Sequence, residues 1–350
     1  MTRDTVSIEK VLNSRCSSQL DAGPKKSHWG TFINERPPKK IIDRALRCCN
    51  VPRFSSGKLL NWFENGYLFL GFEKPNDPRT ERVLHIESGM QQEAVYLACT
   101  AQGVGTCIHN QGINGTSYGE KTATARHLIM ETTDPYENAK FTTNTPGPER
   151  PFTTGKNLSE PFRDSDTECL PTLEQLTPFR KSGSPATEKD ISQLLWAAKG
   201  RTPHLIRIHV WNLQWGLTIP TWGGGQDYTS IYLMKDDKLF HYINWTKRFS
   251  LLNRLFREKF GWTRGNPTHD IRFIRNVNAD AQLDGANAGI ILCRNEKTNR
   301  ALWETGYMLE NMLLQAKSLG ITYKSKILET EETSQLAEQG VTNAVAAMIL

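Results

Sequence analysis

Two stretches of this sequence, ESGMQQEAVYLACTAQGVGTC at 87–107 and ETGYMLENMLLQAKSLGITYK at 304–324, align with each other without a gap. The positions that are identical in both are Glu87 and Glu304, Gly89 and Gly306, Glu93 and Glu310, Leu97 and Leu314, and Gly103 and Gly320. Each stretch is long, apolar on most faces and ends at a glycine. This pattern predicts two helices that are buried on nearly all sides and stop at Gly103 and Gly320.

Strand-like runs flank each predicted buried helix in the same order. Apolar runs at 66–72 and 288–294 predict a strand before the helix, and runs at 126–131 and 343–350 predict a strand after it. The shared order indicates an internal duplication. We therefore predict an α+β fold in which two tandem repeats form a pseudo-dimer within one chain.

Another helix and a Pro-led loop precede each of these units. The first helix and loop lie within 41–62, and the second helix, at 191–200, leads to a loop at 218–228. Residues 135–178 contain seven of the 17 prolines, which predicts a long irregular connector. The predicted domains are thus a first repeat at 1–134, a connector at 135–178 and a second repeat at 179–350.

The second repeat carries an insertion at about 235–286. Within it, residues 244–275 hold eight Lys or Arg against two acidic residues, a local excess equal to the formal net charge of +6. The run at 250–262 predicts an amphipathic surface helix. Three interpretations of this basic segment remain open: a solvated helix face, a lid, or a surface that attracts a phosphorylated cofactor or an acidic partner. Nucleic-acid binding is the weaker alternative, because the aromatic residues also fit an amphipathic helix.

The composition excludes several classes of protein. A hydrophobic content of 38% and a charged content of 23% over 350 residues are typical of a globular protein. No run approaches the roughly 20 apolar residues of a membrane helix, and no signal peptide is readable, so we expect a cytoplasmic protein. The seven cysteines are scattered without a CxxC pair, which argues against a disulfide framework and against a metal site.

A short alternating pattern of polar residues lies near the start of each repeat, and we refer to it as the polar phrase. Arg15, Ser17 and Gln19 alternate in the first copy, and Arg180, Ser182 and Ser184 alternate in the second. In extended chain such alternation puts three side chains on one side, where an Arg fork and a hydroxyl suit a phosphate or a carbonyl. The alternative is a helix N-cap, above all for Ser182 and Ser184.

The two Pro-led loops are rich in small and polar residues. The first contains Pro52, Ser55, Ser56 and Asn61; the second contains Pro220, Thr221 and Gly223. Such loops let backbone amides approach a flat ligand closely. An ordinary turn before a strand is the alternative interpretation.

Taken together, these motifs resemble the nitroreductase family of FMN flavoproteins. The first half resembles it through PRFSSGKLLNW and ACTAQGVGTC. The second half is similar to the azoline-oxidising peptide dehydrogenase branch through QLLWAAKG, IPTWGGGQDYTSIYL and LWETGYMLENMLLQAKSLGI. The resemblance implies a nitroreductase-like fold, bound FMN at the interface of the two halves, and ping-pong electron transfer from NAD(P)H to an organic acceptor. The peptide dehydrogenase branch implies oxidation of a small molecule or peptide instead.

The resemblance implies two flavin sites, each built from both halves. Site one comprises Arg15, Ser17, Gln19, Gly105, Thr106, Pro220, Thr221 and Gly223. Site two comprises Arg180, Ser182, Ser184, Lys324, Pro52, Ser55, Ser56 and Asn61. Catalytic residues are not assigned.

The chain departs from the family pattern at one position in each site. Where the family has a third, basic residue in the polar phrase, this chain has Gln19 and Ser184. The alternative function is therefore a flavin-free pseudoenzyme that acts as a binding or structural module. The expected partners are a small-molecule or peptide substrate, with no membrane, and the chain is expected as a monomeric pseudo-dimer or a weak homo-oligomer.

Overall fold

A computed structural model describes residues 6–15, 36–108, 116–130, 152–161, 163, 165–209, 212–220, 228–247, 265–278, 283–286 and 288–350. The helices of these residues are α1 (Ile8–Ser14), α2 (Lys39–Cys48), α3 (Pro78–Ala101), α4 (Cys169–Leu173), α5 (Glu188–Lys199), α6 (Asn299–Leu319) and α7 (Thr330–Glu338).

The strands alternate with these helices along the chain. In the first half they are β1 (Leu59–Glu64), β2 (Tyr67–Glu73), β3 (Gly105–Ile108), β4 (Thr116–Tyr118) and β5 (Lys121–Met130). Beyond them lie β6 (Thr153–Thr154), β7 (Phe179–Arg180), β8 (Arg201–His209), β9 (Asn212–Leu217), β10 (Thr229–Lys235), β11 (Lys238–Lys247), β12 (Gly265–Asn276), β13 (Ala288–Arg294), β14 (Tyr323–Ile327) and β15 (Ala344–Ile349).

Helices α3 and α6 are the two buried helices that the sequence predicts. Every side chain from Val83 to Ala101 and from Ala301 to Ala316 is buried. The Asp77 side chain caps α3 by accepting hydrogen bonds from the N–H groups of Arg79 and Thr80. At the other end of α6, Gly320 takes the left-handed conformation with φ 68°, which glycine adopts without a steric cost.

The two antiparallel sheets share one strand order. In the first half β1, β2, β5 and β3 lie side by side in that order, with β4 also paired to β5. In the second half the corresponding order is β10, β13, β15 and β14. In both halves two of these strands precede the buried helix in the chain and two follow it. The last strand lies in the sheet between the two strands that directly flank the helix in the sequence.

The predicted insertion widens the second sheet. Strands β11 and β12 continue it beyond β10 as an antiparallel pair, and β6 adds a short parallel strand at its edge. The amphipathic helix predicted at 250–262 lies outside the described residues.

The predicted connector is not irregular throughout. Its described residues include β6 and α4, and Cys169, Leu170 and Leu173 of α4 are buried in the main core. The proline-rich composition of the connector does not predict this short helix. Its conformation is decided by apolar contacts with the core, and a local sequence pattern does not reveal such contacts.

Helices α3 and α6 also bury charged groups where they meet. The carboxyls of Glu93 and Glu310 are fully buried, and Arg15 Nε lies 3.8 Å from Glu93 Oε1. Burial raises the pKa of Glu93 to about 8, although the Arg15 charge acts in the opposite direction. Burial and then the charge of Glu93 raise the pKa of Glu310 well above its ordinary value.

Candidate functional site

A cleft of about 470 Å³ opens between the two halves of the chain. One wall is the loop after α2 together with the first turns of α3, and the other is β14 with the start of α7. The residues that line it are Phe54, Ser55, Ser56, Asp77, Arg79, Thr80, Arg82, Val83, Ser325, Lys326, Ile327, Leu328, Glu329 and Thr330. We refer to this feature as the cleft.

The serine loop of the cleft is held from below by Glu87 of α3. This buried carboxylate accepts hydrogen bonds from the N–H groups of Phe54 and Ser55, the latter at 2.7 Å, and from Ser55 Oγ at 3.0 Å. Arg53 adds two contacts, from Nε at 3.0 Å and Nη2 at 2.9 Å. A single carboxylate thus fixes the backbone that presents Ser55 and Ser56.

The facing wall is an open sheet edge. Strand β7 pairs with β14 only at Tyr323 and Lys324, and the Ser325 N–H then bonds to Pro178 O at 2.8 Å. At Lys326 and Ile327 the side of β14 away from β15 has no strand partner among the described residues. Backbone groups on such an edge are available to hydrogen-bond a ligand.

The carboxylates at the mouth of the cleft are already engaged in ion pairs or in a helix cap. Arg79 forms an ion pair with Glu329, and Lys326 contacts Asp284 and Glu332. Hydrogen bonds from Thr80 and Arg79 lower the pKa of Asp77, so its carboxylate stays ionised and is used by the helix cap. The side chain of Arg82 makes no hydrogen bond or ion pair with any described residue, and its Nε is buried.

Two of the eight residues of the predicted site two line the cleft. Ser55 and Ser56 line it, whereas Pro52 is buried behind the loop and Asn61 is exposed on β1, where it pairs with Leu70. The predicted loop therefore ends earlier than expected, because the chain enters β1 at Leu59.

The polar phrase of site two lies along the neighbouring backbone. Arg180 is on β7 beside Tyr323, and its Nε and Nη1 donate to Ser182 O at 2.8 Å and Lys317 O at 3.3 Å. The Ser184 N–H donates to Gly320 O at 3.2 Å. Lys324 donates to Asp284, at 2.6 Å, and is not among the residues that line the cleft.

The N-cap alternative for Ser182 and Ser184 is wrong. Helix α5 begins after Thr187, whose hydroxyl accepts from the Asp190 N–H while the Asp190 carboxylate accepts from the Thr187 N–H. This reciprocal capping box satisfies two helix N–H groups, so no upstream serine is needed.

Site one is described only in part. Ser17, Gln19, Thr221 and Gly223 lie outside the described residues. Arg15 directly follows helix α1; it is buried and donates to Thr218 O at 2.9 Å and Leu217 O at 2.7 Å. Arg15 therefore contacts the backbone at Thr218, two positions before Pro220, the first residue of the partner loop.

The remaining residues of site one serve the first sheet. Gly105 and Thr106 begin β3 and are buried, and Thr106 Oγ1 lies 3.2 Å from His127 Nδ1. Neither Gly105 nor Thr106 lines the cleft.

Sequence reasoning missed the residues of the cleft that come from α3 and α7. Arg79, Arg82 and Glu329 belong to no motif, although Asp77 followed by Pro78 is a readable helix start. Glu87 was visible as an identical position in the two repeats, but its role as the anchor of the serine loop follows only from the fold.

The described residues contain neither a membrane-spanning helix nor a candidate metal site. No described helix has the length and apolarity needed to cross a membrane. Within the same ranges, no group of three or more His, Cys, Asp or Glu side chains is placed to hold a metal ion.

Comparisons with known proteins give weak likenesses. No family model and no curated protein matches the sequence. A candidate nitroreductase from Anabaena variabilis is similar in structure, with 12% identity and a TM-score of 0.49 over 81% of this chain and 68% of that one. One from Thermotoga maritima has 12% identity and a TM-score of 0.43 over 99% and 94%.

A candidate nitroreductase from Ralstonia eutropha has 19% identity and a TM-score of 0.37, with 57% of this chain and 92% of that one covered. Each of these TM-scores is below 0.5. The likeness by itself therefore assigns neither a fold family nor an activity to this chain.

Proposed function

We propose that the chain is an FMN-dependent oxidoreductase of the nitroreductase type, with the flavin ring bound in the cleft. One observation carries the proposal: the serine loop of the first half and strand β14 of the second half converge on this cleft. The nitroreductase-like motifs group the same two segments as site two. The cleft volume of about 470 Å³ lies within the range of small-molecule sites, roughly 300–1,000 Å³.

The residues of the cleft fit the chemical parts of FMN. Phe54, Val83 and Leu328 offer apolar surface to a ring, and the open edge of β14 offers backbone donors and acceptors to its polar rim. From the other wall, the Ser56 hydroxyl adds a donor, and Ser55 Oγ, whose proton is donated to Glu87, adds an acceptor. For the phosphate, Arg180 Nη2 makes no hydrogen bond with a described residue, and Ser182 and Ser184 lie next to it.

When bound, FMN supplies two-electron chemistry, taking hydride from NAD(P)H for an organic acceptor, or oxidising a small molecule or peptide directly. The chain's own contribution is orientation and exclusion of water. Glu87 holds the serine loop in one conformation, and the buried Val83 and Leu328 keep the inner wall of the cleft dry. No proton donor is assigned; Lys324, the lysine of site two, is paired with Asp284.

We further propose that the chain arose by duplication and forms its own pseudo-dimer. The shared strand order of the two sheets and the contact of α3 with α6 at equivalent glycines support this proposal. On this proposal the repeats are 1–134 and 179–350, joined by 135–178, and the chain functions as a monomer or a weak homo-oligomer.

A flavin-free binding module is the second candidate, and one observation favours it. The two arginines of the polar phrases already donate to protein carbonyls: Arg15 to Leu217 and Thr218, and Arg180 to Ser182 and Lys317. Arg15 in particular is almost fully buried, so we do not assign a flavin to site one.

Absorbance spectra of the purified full chain, before and after addition of FMN and gel filtration, distinguish the two candidates. We expect flavin bands that elute with the protein. Replacing both Ser55 and Ser56 by Ala should weaken FMN binding about 10-fold, since each lost hydrogen bond contributes about 0.5–1.5 kcal/mol.

Ser334→Ala is the matched control, because Ser334 is exposed on α7 and its hydroxyl donates to Thr330 O of the same helix. Its FMN affinity should equal that of the wild type. A wild-type protein that shows no bands and takes up no FMN would overturn the oxidoreductase proposal and leave the binding module.

A further inference from the structure

We propose that Arg82 and Arg294 form an oxyanion-binding site, suited to the phosphate group of a molecule that enters the cleft. The site is separate from the polar phrase at Arg180 and does not depend on the proposed flavin chemistry. Arg82 comes from the first half, near the start of α3, and Arg294 comes from the second half, at the end of β13.

Neither guanidinium group forms a hydrogen bond or an ion pair with a residue that the structure describes. The Nε atoms of Arg82 and Arg294 are buried, and neither accepts nor donates to any described residue. No ion pair involves either side chain within the same ranges. A buried donor on a charged group is costly when it is left unsatisfied, and an anion that accepts from it removes that cost.

Arg82 and Arg294 lie at the same corner of the second sheet. Arg82 lines the cleft with Leu328, whose N–H bonds to Val345 O, and the Arg294 N–H bonds to Asn343 O, two residues before Val345. Burial lowers the pKa of Arg294, and the charge of Arg82 lowers it further. Burial also lowers the pKa of Arg82, against the opposite effect of Glu329. Two adjacent, half-buried cations without carboxylates of their own repel each other, and a bound dianion relieves that repulsion.

The acidic residues nearby are already engaged. Glu329, the carboxylate that acts on Arg82, forms its ion pair with Arg79. Asp77 accepts from the first N–H groups of α3. The cleft therefore has a local excess of positive charge next to Arg82, which lines it.

The chemistry of the pair favours phosphate. An arginine fork donates two parallel hydrogen bonds to a carboxylate or phosphate, and two forks match the several oxygens of a phosphate better than the two of a carboxylate. The phosphate belongs either to the proposed flavin or to a phosphorylated substrate or electron donor.

Calorimetric titration of the full chain with inorganic phosphate, at constant low ionic strength, tests the site. We expect wild-type binding that Arg82→Gln and Arg294→Gln each weaken at least 10-fold. Arg272→Gln is the control, since Arg272 is an exposed arginine of β12 that does not line the cleft, and it should change the affinity less than 3-fold. Acetate should bind the wild type more weakly than phosphate does.

Thermal unfolding in phosphate-free buffer shows that the variants fold. Arg82→Gln and Arg294→Gln should unfold at temperatures no lower than the wild type, because each removes an unpaired cation. Phosphate should raise the unfolding temperature of the wild type and leave that of the two variants unchanged. Absence of phosphate binding by the wild type, or equal binding by all three variants, would overturn the proposal.

Competition then identifies the source of the phosphate. If FMN displaces inorganic phosphate, the site serves the flavin; if both bind together, it serves a substrate or electron donor. If no FMN binds at all, the phosphate titration still decides the oxyanion site, so the failure of one proposal is distinct from the failure of the other.

Discussion

Gly89 and Gly306 lie against each other where helices α3 and α6 cross. A Cβ atom added to Gly306 would lie 2.9 Å from Gly89 Cα and 2.7 Å from Met90 N, and one added to Gly89 would lie 2.8 Å from Trp303 Cα. The two positions are equivalent in the internal alignment of the sequence. The absence of side chains at both allows the two buried backbones to approach this closely.

Gly306→Ala should therefore destabilise the protein. Overpacking a well-filled core costs about 1–3 kcal/mol, and here the added atom meets backbone that cannot rotate away. The gain in helix propensity, about 1 kcal/mol, acts in the opposite direction but does not offset a backbone overlap. The free energy of unfolding from urea titration gives the measurement.

Gly289→Ala is the control for this prediction. Gly289 lies on β13, where an added Cβ would meet Leu283 Cδ1 at an ordinary 3.4 Å. Its stability should change by less than about 0.5 kcal/mol, the usual range for a substitution without a specific cause. Equal losses in Gly306→Ala and Gly289→Ala would show that the helix crossing is not the reason.

Glu87→Gln should release the serine loop. An amide in place of the carboxylate loses one acceptor oxygen, and an NH₂ in place of Oε2 faces the donors Ser55 Oγ and Arg53 Nε. Since hydrogen bonds to a charged group contribute about 1.5–3 kcal/mol, we expect a loss of that order and faster hydrogen exchange at the Phe54 and Ser55 amides.

Glu73→Gln provides the comparison. Glu73 also pairs with a cation of this region, Lys58, but both side chains are largely exposed. Exposed ion pairs contribute about 0–1 kcal/mol, so both the stability and the exchange of the loop amides should stay near the wild type. Unchanged exchange at Phe54 and Ser55 in Glu87→Gln would contradict the role of Glu87 as an anchor.

The sequence predicted the parts of the fold that depend on long apolar patterns. Helices α3 and α6 and strands β2, β13 and β15 lie where apolar runs and glycine stops place them. Burial on nearly all sides leaves a continuous apolar signal in the sequence, so these elements can be read without knowledge of their neighbours.

The local conformation of the polar phrases was not predictable in the same way. Arg15 follows a helix and Arg180 lies on a strand, although both belong to the same five-residue pattern. Such a short pattern contains too few apolar positions to fix the backbone, and long-range hydrogen bonds to Thr218 and Lys317 decide where each side chain lies. Strand β1 was missed for another reason. Asn65 and Gly66, with φ of 50° and 85°, form a hairpin turn, and this Asn-Gly signature predicts a strand on each side of it. The predicted loop, which included Asn61, covered the strand on its N-terminal side.

Four buried groups give the stability a specific dependence on pH. The pKa of Glu93 is raised by burial to about 8, and that of Glu310 is raised as well. Burial lowers the pKa of His85 to about 4 and that of His269 to about 3. The buried carboxyls hold protons that the unfolded chain loses above pH 4.5, whereas the buried imidazoles exclude protons that the unfolded chain binds below pH 6.5.

Between pH 6.5 and 8 only the carboxyls contribute, so the free energy of unfolding should fall as the pH rises through this window. In that range the folded state binds more protons than the unfolded state, and each raised carboxyl contributes a slope of up to about 1.4 kcal/mol per pH unit. Urea titrations at several pH values give this slope. Glu93→Gln, which does not titrate, should reduce it, whereas Glu331→Gln, at an exposed position of α7, should leave it unchanged. A wild-type stability that is level from pH 6.5 to 8 would mean that Glu93 and Glu310 are ionised inside the folded protein, with Arg15 neutralising more of their charge than its 3.8 Å separation from Glu93 implies.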